Sequence, residues 1–184
     1  MSTLDYVIRE ATESDAEGIA AVHVNSWQTS YRGIIDQSFL DNISYEDRLA
    51  LRREILQTKK GLHLVALFGD QIVGFAGAGP IRSESRVDQH PLFKNASTCI
   101  GEIYAIYLLE EHKGKDCGKA LFNTCRNWLG RQGFESFVVR ALTDNVRARR
   151  FYESQGGTLI GEMTIKIDDK DYQEVCYFFR IRAS

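Results

Sequence analysis

The chain lacks any hydrophobic run long enough to cross a bilayer, and it lacks an excess of charge of either sign. Its longest apolar stretches fall far short of the roughly 20 residues that a spanning helix needs, so no membrane role is expected. Lysine and arginine total 23 against 25 aspartate and glutamate, a formal net charge of −2, and no global field draws in nucleic acid. The start, Met1-Ser-Thr-Leu-Asp-Tyr, has neither the basic beginning nor the apolar stretch of a secretion signal. Cysteine is sparse: Cys99, Cys117, Cys125 and Cys176 form no CxxC. His23, His63, His90 and His112 show no spacing for a metal or a triad. Neither a zinc site nor a disulfide framework is expected, and scattered thiols of this kind suit a reduced, cytoplasmic protein.

What is present fits an ordinary globular chain. It has 184 residues, 43% apolar and 26% charged, with no linker, repeat or low-complexity stretch, and reads as a single domain over 1–184. Tyr6–Arg9 is a β-type run, and Thr12 then caps a helix that runs to about Trp27. Ser44 caps a second helix, Tyr45 to Lys59. Leu62–Phe68 and Gln71–Ala76 flank Gly69-Asp70 as a hairpin. The polar segment 80–97 holds both prolines and reads as a long loop. A strand from Ile100 to Leu109 is followed by a glycine-containing loop and an apolar-periodic helix from about Lys119 to Gly133. A strand at Ser136–Leu142 and a helix from about Asn145 to Gln155 come next, the helix ended by Gly156-Gly157. Two strands, about Leu159 to Ile167 and Glu174 to Ile181, close the chain around a turn at Asp168–Lys170. This order predicts a mixed α/β sheet with flanking helices.

A glycine-containing loop that opens a helix presents free N–H groups and the positive helix end, which suits a pyrophosphate. The Walker pattern fails, because three residues rather than four separate Gly114 from Gly118-Lys119 and Ala120 follows. The dinucleotide fingerprint GxGxxG is absent. Glu102-Ile-Tyr-Ala-Ile-Tyr-Leu108, followed by Lys113-Gly-Lys-Asp-Cys-Gly118-Lys-Ala-Leu121, instead resembles the acetyl-CoA-binding core of the GNAT superfamily of N-acyltransferases. Asn145-x-x-Ala148-x-x-Phe151-Tyr152-x-x-x-Gly156 resembles its second cofactor motif. Ile8-Arg9-x-Ala11-Thr12-x-x-Asp15 looks like its opening strand and helix. The resemblance runs over nearly the whole chain and departs from the family loop at Asp116, where a glycine is usual, and at Lys113, where Gln or Arg is usual.

The resemblance implies an acyl-CoA N-acyltransferase-like fold, a mostly antiparallel sheet of six to seven strands flanked by helices. It also implies direct attack of an amine on acetyl-CoA, with no metal. The cofactor is expected along Ile106, Tyr107 and Leu108, with its diphosphate on Lys113, Gly114, Lys115, Asp116, Cys117, Gly118 and Lys119. Asn145 is expected to contact the pantetheine, or simply to cap its helix. Tyr152 matches the tyrosine that donates a proton to the leaving sulfur, and Glu102 the glutamate used as a base through water; packing and substrate orientation are their respective alternatives. Arg147, Arg149 and Arg150 offer contacts to a cofactor phosphate or a solvated helix face. Trp27 and Tyr31, in Ser26–Gly33, are candidates for an acceptor wall through cation–π contact or for core packing. The function expected is transfer of an acetyl group to a primary amine of a small molecule, less readily a protein amine; the oligomeric state stays open, a homodimer being common in the superfamily. A longer acyl donor stays open. So does a weakly active acyl-CoA-binding or regulatory module, which Asp116 motivates.

Overall fold

A computed structural model describes residues 6–58, 60–82 and 100–181. The strands are β1 (Tyr6–Glu10), β2 (Leu62–Phe68), β3 (Gln71–Pro80), β4 (Ile100–Leu108), β5 (Ser136–Leu142), β6 (Thr158–Ile167) and β7 (Lys170–Arg180). The helices are α1 (Ala16–Ser30), α2 (Gln37–Asp41), α3 (Tyr45–Thr58), α4 (Cys117–Arg131) and α5 (Val146–Ser154), with short 3-10 turns at Glu13–Asp15 and Glu110–His112. The seven strands pair in the order β1-β2-β3-β4-β5-β7-β6. Every pairing whose register is resolved is antiparallel except β4 with β5, which is parallel from Ile100–Ser136 to Ile103–Val139.

The chain divides into two compact units, Met1–Ala78 with Ala105–Arg126, and Gly79–Tyr104 with Asn127–Ser184. The boundaries cut through β3, β4 and α4 rather than through linkers. In the first unit, α1 packs mainly against α3. Its entry is fixed by Asp15, which accepts the Thr12 N–H at 2.7 Å and a two-pronged pair from Arg9 at 2.7 and 2.8 Å. Ser44 caps α3 by accepting the Asp47 N–H at 3.1 Å, as its sequence predicts. In α4, Cys117, Leu121, Phe122, Cys125 and Leu129 are all fully buried, one apolar stripe at helical spacing.

In the second unit, side-chain alternation sorts β5 and β7 into two faces. Phe137 stacks on Phe179 with centroids 4.8 Å apart, on the face that carries α5 through the Tyr152–Tyr177 ring contact. Val138 and Cys176 lie on the other face, packed with Ile81, Ile100, Ile160 and Phe178. Glu102, Arg140 and Glu174 share that second face by register.

Several expected boundaries move. The first α-helix begins at Ala16, after a 3-10 turn, and continues past Trp27 to Ser30. The short α2 was not anticipated; Asp36 caps it through the Ser38 N–H, and the Gln28 side chain bonds the Leu40 carbonyl. The fourth helix starts at Cys117, not Lys119, and β7 starts at Lys170, not Glu174. Most of the expected 80–97 loop lies outside the described residues, as do Cys99 and His90.

Candidate active site

In the first unit, β4 leads through the 3-10 turn into the loop Lys113–Asp116 and the start of α4. The loop curls because Gly114 (φ 73°) and Asp116 (φ 63°) both occupy the left-handed region. Nothing lies within 4 Å of where a Cβ on Gly114 would stand, so the outer wall of the curl is open. The Asp116 carbonyl accepts the first helical bond, from Ala120 N–H at 2.9 Å. The N–H groups of Cys117, Gly118 and Lys119 therefore precede the helix ladder and add to its positive end. A Cβ on Gly118 would meet Leu108 Cδ1 at 3.3 Å, so a small residue lets the helix start close against β4. A curled backbone, three leading amides and a helix end suit an anionic diphosphate, and the residues present fit that group.

The side chains here have separate roles. Lys115, Asp116 and Lys119 are exposed. Lys113 is turned inward, its Nζ donating to Ser30 Oγ at 2.8 Å and to Glu110 Oε2 at 2.6 Å. Cys117 is fully buried, and burial pushes its thiol up to about 11, so it is a packed thiol rather than a nucleophile. Ile106 and Tyr107 are half-buried and Leu108 is buried, on consecutive positions of β4.

Trp27 and Tyr31, one turn apart on α1 and its C-cap, meet edge to face at 5.1 Å. The Tyr31 and Tyr107 hydroxyls are 3.2 Å apart, and His23 stacks on Tyr107 with centroids 5.7 Å apart. Phe75 and Phe39 complete the cluster. Two guanidiniums from α3 enter it: Arg52 lies 4.5 Å over the Phe75 ring and Arg48 lies 5.8 Å from the Trp27 centroid. Arg52 Nη2 donates to His23 Nδ1 at 2.9 Å. Burial, reinforced by both arginines, pulls His23 down to about 3, so its ring is a neutral acceptor at any physiological pH.

In the second unit, Glu102 is 1% exposed and surrounded by donors. Its carboxylate accepts the Arg82 backbone N–H at 3.0 Å, Arg82 Nε at 3.2 Å and Nη2 at 2.5 Å, and Arg140 Nε at 3.3 Å and Nη2 at 3.2 Å. Burial alone would raise its pKa, but the two arginines outweigh burial and hold it below the usual carboxylate range. Arg140 also donates through Nη1 to Glu174 at 3.0 Å, and burial raises the pKa of Glu174. Tyr104 lies under Arg82, 4.8 Å from ring to guanidinium, and donates to the Pro80 carbonyl.

Tyr152 is buried on α5 against Phe151 and Tyr177. Asn145 caps that helix, its Oδ1 accepting the Ala148 N–H at 3.1 Å. Arg149 is tied to Tyr177 and to the Thr143 carbonyl, whereas Arg147 and Arg150 are exposed. By alternation Glu102 and Tyr152 face opposite sides of the strands between them.

Sequence reading missed Arg82, Arg140 and Glu174 around Glu102, and His23, Arg48 and Arg52 beside Trp27. One signal was available: Arg140 is the lone charge in Ser136-Phe-Val-Val-Arg-Ala-Leu142, a strand too apolar to carry an unpaired cation. Among the described residues no three His, Cys, Asp or Glu side chains gather as a metal site, and no helix is long and apolar enough to cross a membrane.

Comparison with known proteins agrees with this architecture. The uncharacterized N-acetyltransferase YuaI of Bacillus subtilis is 33% identical over 171 residues, covering 91% of this chain and 89% of that protein. A GCN5-related N-acetyltransferase from Rhodopseudomonas palustris superposes with a TM-score of 0.74 at 20% identity, over 98% of each chain. A putative acetyltransferase, yncA of Salmonella typhimurium, solved with its cofactor acetyl-CoA, superposes with a TM-score of 0.68 at 20% identity, over 97% of this chain and 95% of that one. The model of the acetyltransferase (GNAT) family matches residues 20–157, and the chain belongs to that family.

Proposed function

We propose that the chain is an acetyl-CoA-dependent N-acetyltransferase that acetylates a primary amine of a small molecule by direct attack in a ternary complex. The observation that carries this reading is the loop Lys113–Lys119, whose two left-handed residues bring the leading amides of α4 together as an anion cradle. A second feature agrees with it. The pairing of β4 with β5 runs only to Ile103, which leaves Ile106, Tyr107 and Leu108 further along β4 to bond the amides of the pantetheine.

Acetyl-CoA would supply the activated thioester carbonyl and a thiolate leaving group. Tyr152 donates the proton that the departing sulfur needs, its phenol acting as general acid as the thiolate develops. Glu102 stays anionic through the neutral range. With its oxygens occupied by five donors, it stabilises the cationic amine and takes its proton only through water. Asn145 contacts the pantetheine while it caps α5, and Trp27 and Tyr31 wall the acceptor. The free thiols at Cys117, Cys125 and Cys176 fit a cytoplasmic setting.

Thiol release over a panel of amines with acetyl-CoA and longer acyl-CoAs tests the reading. Turnover with acetyl-CoA and a small primary amine is the expected result; no detectable acetyl-CoA binding by calorimetry at millimolar cofactor would overturn it. One observation favours a second reading, a regulatory acyl-CoA-binding module: the exposed Asp116 carboxylate stands in the cradle itself. Tight cofactor binding without turnover of any amine is its signature.

A further inference from the structure

Arg48 and Arg52 stand one turn apart on α3, so both guanidiniums leave the same face of the helix. Neither has an anionic partner among the described residues. The residues three and four positions from them are Ser44, Tyr45, Leu49, Leu51, Ile55 and Leu56, none of them acidic, and the helix's acids Glu46, Asp47 and Glu54 fall at other spacings. Elsewhere the buried carboxylates and arginines meet in pairs: Arg9 with Asp15, Arg82 with Glu102, and Arg140 with both Glu102 and Glu174, while the half-buried Arg149 is held by the Tyr177 hydroxyl and the Thr143 carbonyl. Among the described residues no carboxylate pairs with Arg48 or Arg52. Their Nε atoms, and the indole Nε1 of Trp27 beside them, are buried with no hydrogen-bond partner. Three orphaned donors and two like charges in one aromatic cluster are costly to keep. A half-buried cation with a buried, unpartnered Nε wants an anion, and the described residues supply none.

We propose that Arg48 and Arg52 bind a carboxylate carried by the acceptor, so that the substrate is an amino acid or a similar small molecule bearing both an amine and a carboxylate. This rests on the acetyltransferase reading above and names the class of acceptor within it. A carboxylate matches the planar fork of a guanidinium, which donates two parallel N–H bonds to it. The Trp27 ring borders Arg48 and the Phe75 ring borders Arg52, with Tyr31 and Tyr107 packed on Trp27; apolar rings of this kind limit water around an ion pair, which strengthens it. Arg52, one Nη already held by His23, is fixed in place before any ligand arrives, so little side-chain freedom is lost on binding.

The test compares matched acceptors: each L-amino acid against its α-amide, and ω-amino acids against the corresponding simple amines, with taurine and 2-aminoethylphosphonate as other anions. Thiol release is followed for the wild type, Arg48→Gln and Arg52→Gln, with folding checked by thermal melting. The wild type is expected to prefer the carboxylate member of a pair by at least about tenfold in kcat/KM, and each variant to shrink that ratio toward one, mainly through KM for the acid. Equal use of acids and amides by the wild type would overturn the proposal, as would variants that leave the ratio intact. A preference for the sulfonate or phosphonate would refute the carboxylate in favour of another anion. If Arg52→Gln does not fold, Arg48→Gln and Arg52→Lys decide the matter.

Acetyl-CoA binding with no amine turned over would instead mean that the acetyltransferase reading has failed. The anion site is then read directly. Trp27 is one of two tryptophans, so a Trp128→Phe protein isolates its emission. Saturable quenching by the acids but not the amides, lost in Arg48→Gln, sustains the site, and no difference between them removes it.

Discussion

Arg140→Met removes a guanidinium that stands between two carboxylates, and its cost is worked from the partners it leaves behind. Arg140 is 13% exposed, Glu102 1% and Glu174 13%, so solvent replaces almost none of the lost bonds. Glu102 keeps its three bonds from Arg82, but Glu174 loses its guanidinium partner and faces a second buried anion. Breaking a buried pair in this way costs about 3–5 kcal/mol. Glu102→Gln is milder, about 2–3 kcal/mol, because Arg140 keeps Glu174 and the 43% exposed Arg82 can turn to water. The cost of Arg140→Met also depends on pH. The folded pKa of Glu174 is already raised from its ordinary 4.5 by burial, so its charge destabilises the fold increasingly as pH rises through that value. Loss of Arg140 raises it further. The defect is therefore smaller at pH 5 than at pH 8, because the higher pH favours the ionised form of Glu174 that Arg140 no longer offsets. Urea unfolding at both pH values, with the Arg140→Met/Glu102→Gln double variant to measure coupling, checks the chain of inference. A loss below about 1 kcal/mol for Arg140→Met at pH 8, or equal losses at both pH values, would refute it.

Tyr152→Phe is expected to lower kcat by roughly 10²-fold with little change in KM for acetyl-CoA, as loss of a proton donor predicts; unchanged kcat removes that role. Asp116→Gly places at φ 63° the residue that adopts it without strain and withdraws a negative charge from the cradle. Tighter acetyl-CoA binding by calorimetry and a stability gain of about 1 kcal/mol are expected, and weaker binding would count against the cradle. Asp15→Asn loses the Arg9 pair, which holds Asp15 down from 3.8 to about 2. A group so depressed stabilises the fold above pH 3.8 and ceases to as pH falls toward 2, and with Arg9 41% exposed the loss is about 1 kcal/mol. Thermal melts that separate wild type from variant at pH 7 and converge near pH 2 are the check.

The sequence displays its elements where one local signal governs them. Ser136–Leu142 is a strand with the bounds read from its apolar run, and Gly69-Asp70 turns the β2–β3 hairpin as expected. Where signals are short or compete, the reading slips. The five-residue α2 spans too little chain to show a helical period. Gly118 disguised the first turn of α4 as loop, although a glycine there serves the close approach to Leu108. Lys170–Gln173 are too polar to read as strand, yet they extend β7 because β6 offers a full ladder opposite them. The loop positions of the candidate site were legible because contiguous residues build them. The charge cluster was not: Arg82, Glu102, Arg140 and Glu174 meet only through the register of β4, β5 and β7, and no spacing along the chain encodes that.

The two arginine groups differ in a way that bears on function. Around Glu102 every buried charge is neutralised by a neighbour, so the cluster is complete in the unliganded protein and its carboxylate stays ionised. Around Trp27 two half-buried cations have no anion among the described residues, and burial drags Arg52 down to about 10. That is a standing cost to stability which packing alone does not require, since leucine or methionine would fill the same volume without orphaned donors. Folds retain such local frustration where a ligand relieves it. The prediction follows that Arg48→Met raises the melting temperature of the ligand-free protein while it abolishes the preference for carboxylate-bearing acceptors. If Arg48→Met melts lower than the wild type and keeps that preference, the arginine is there for packing and the acceptor's charge is read elsewhere.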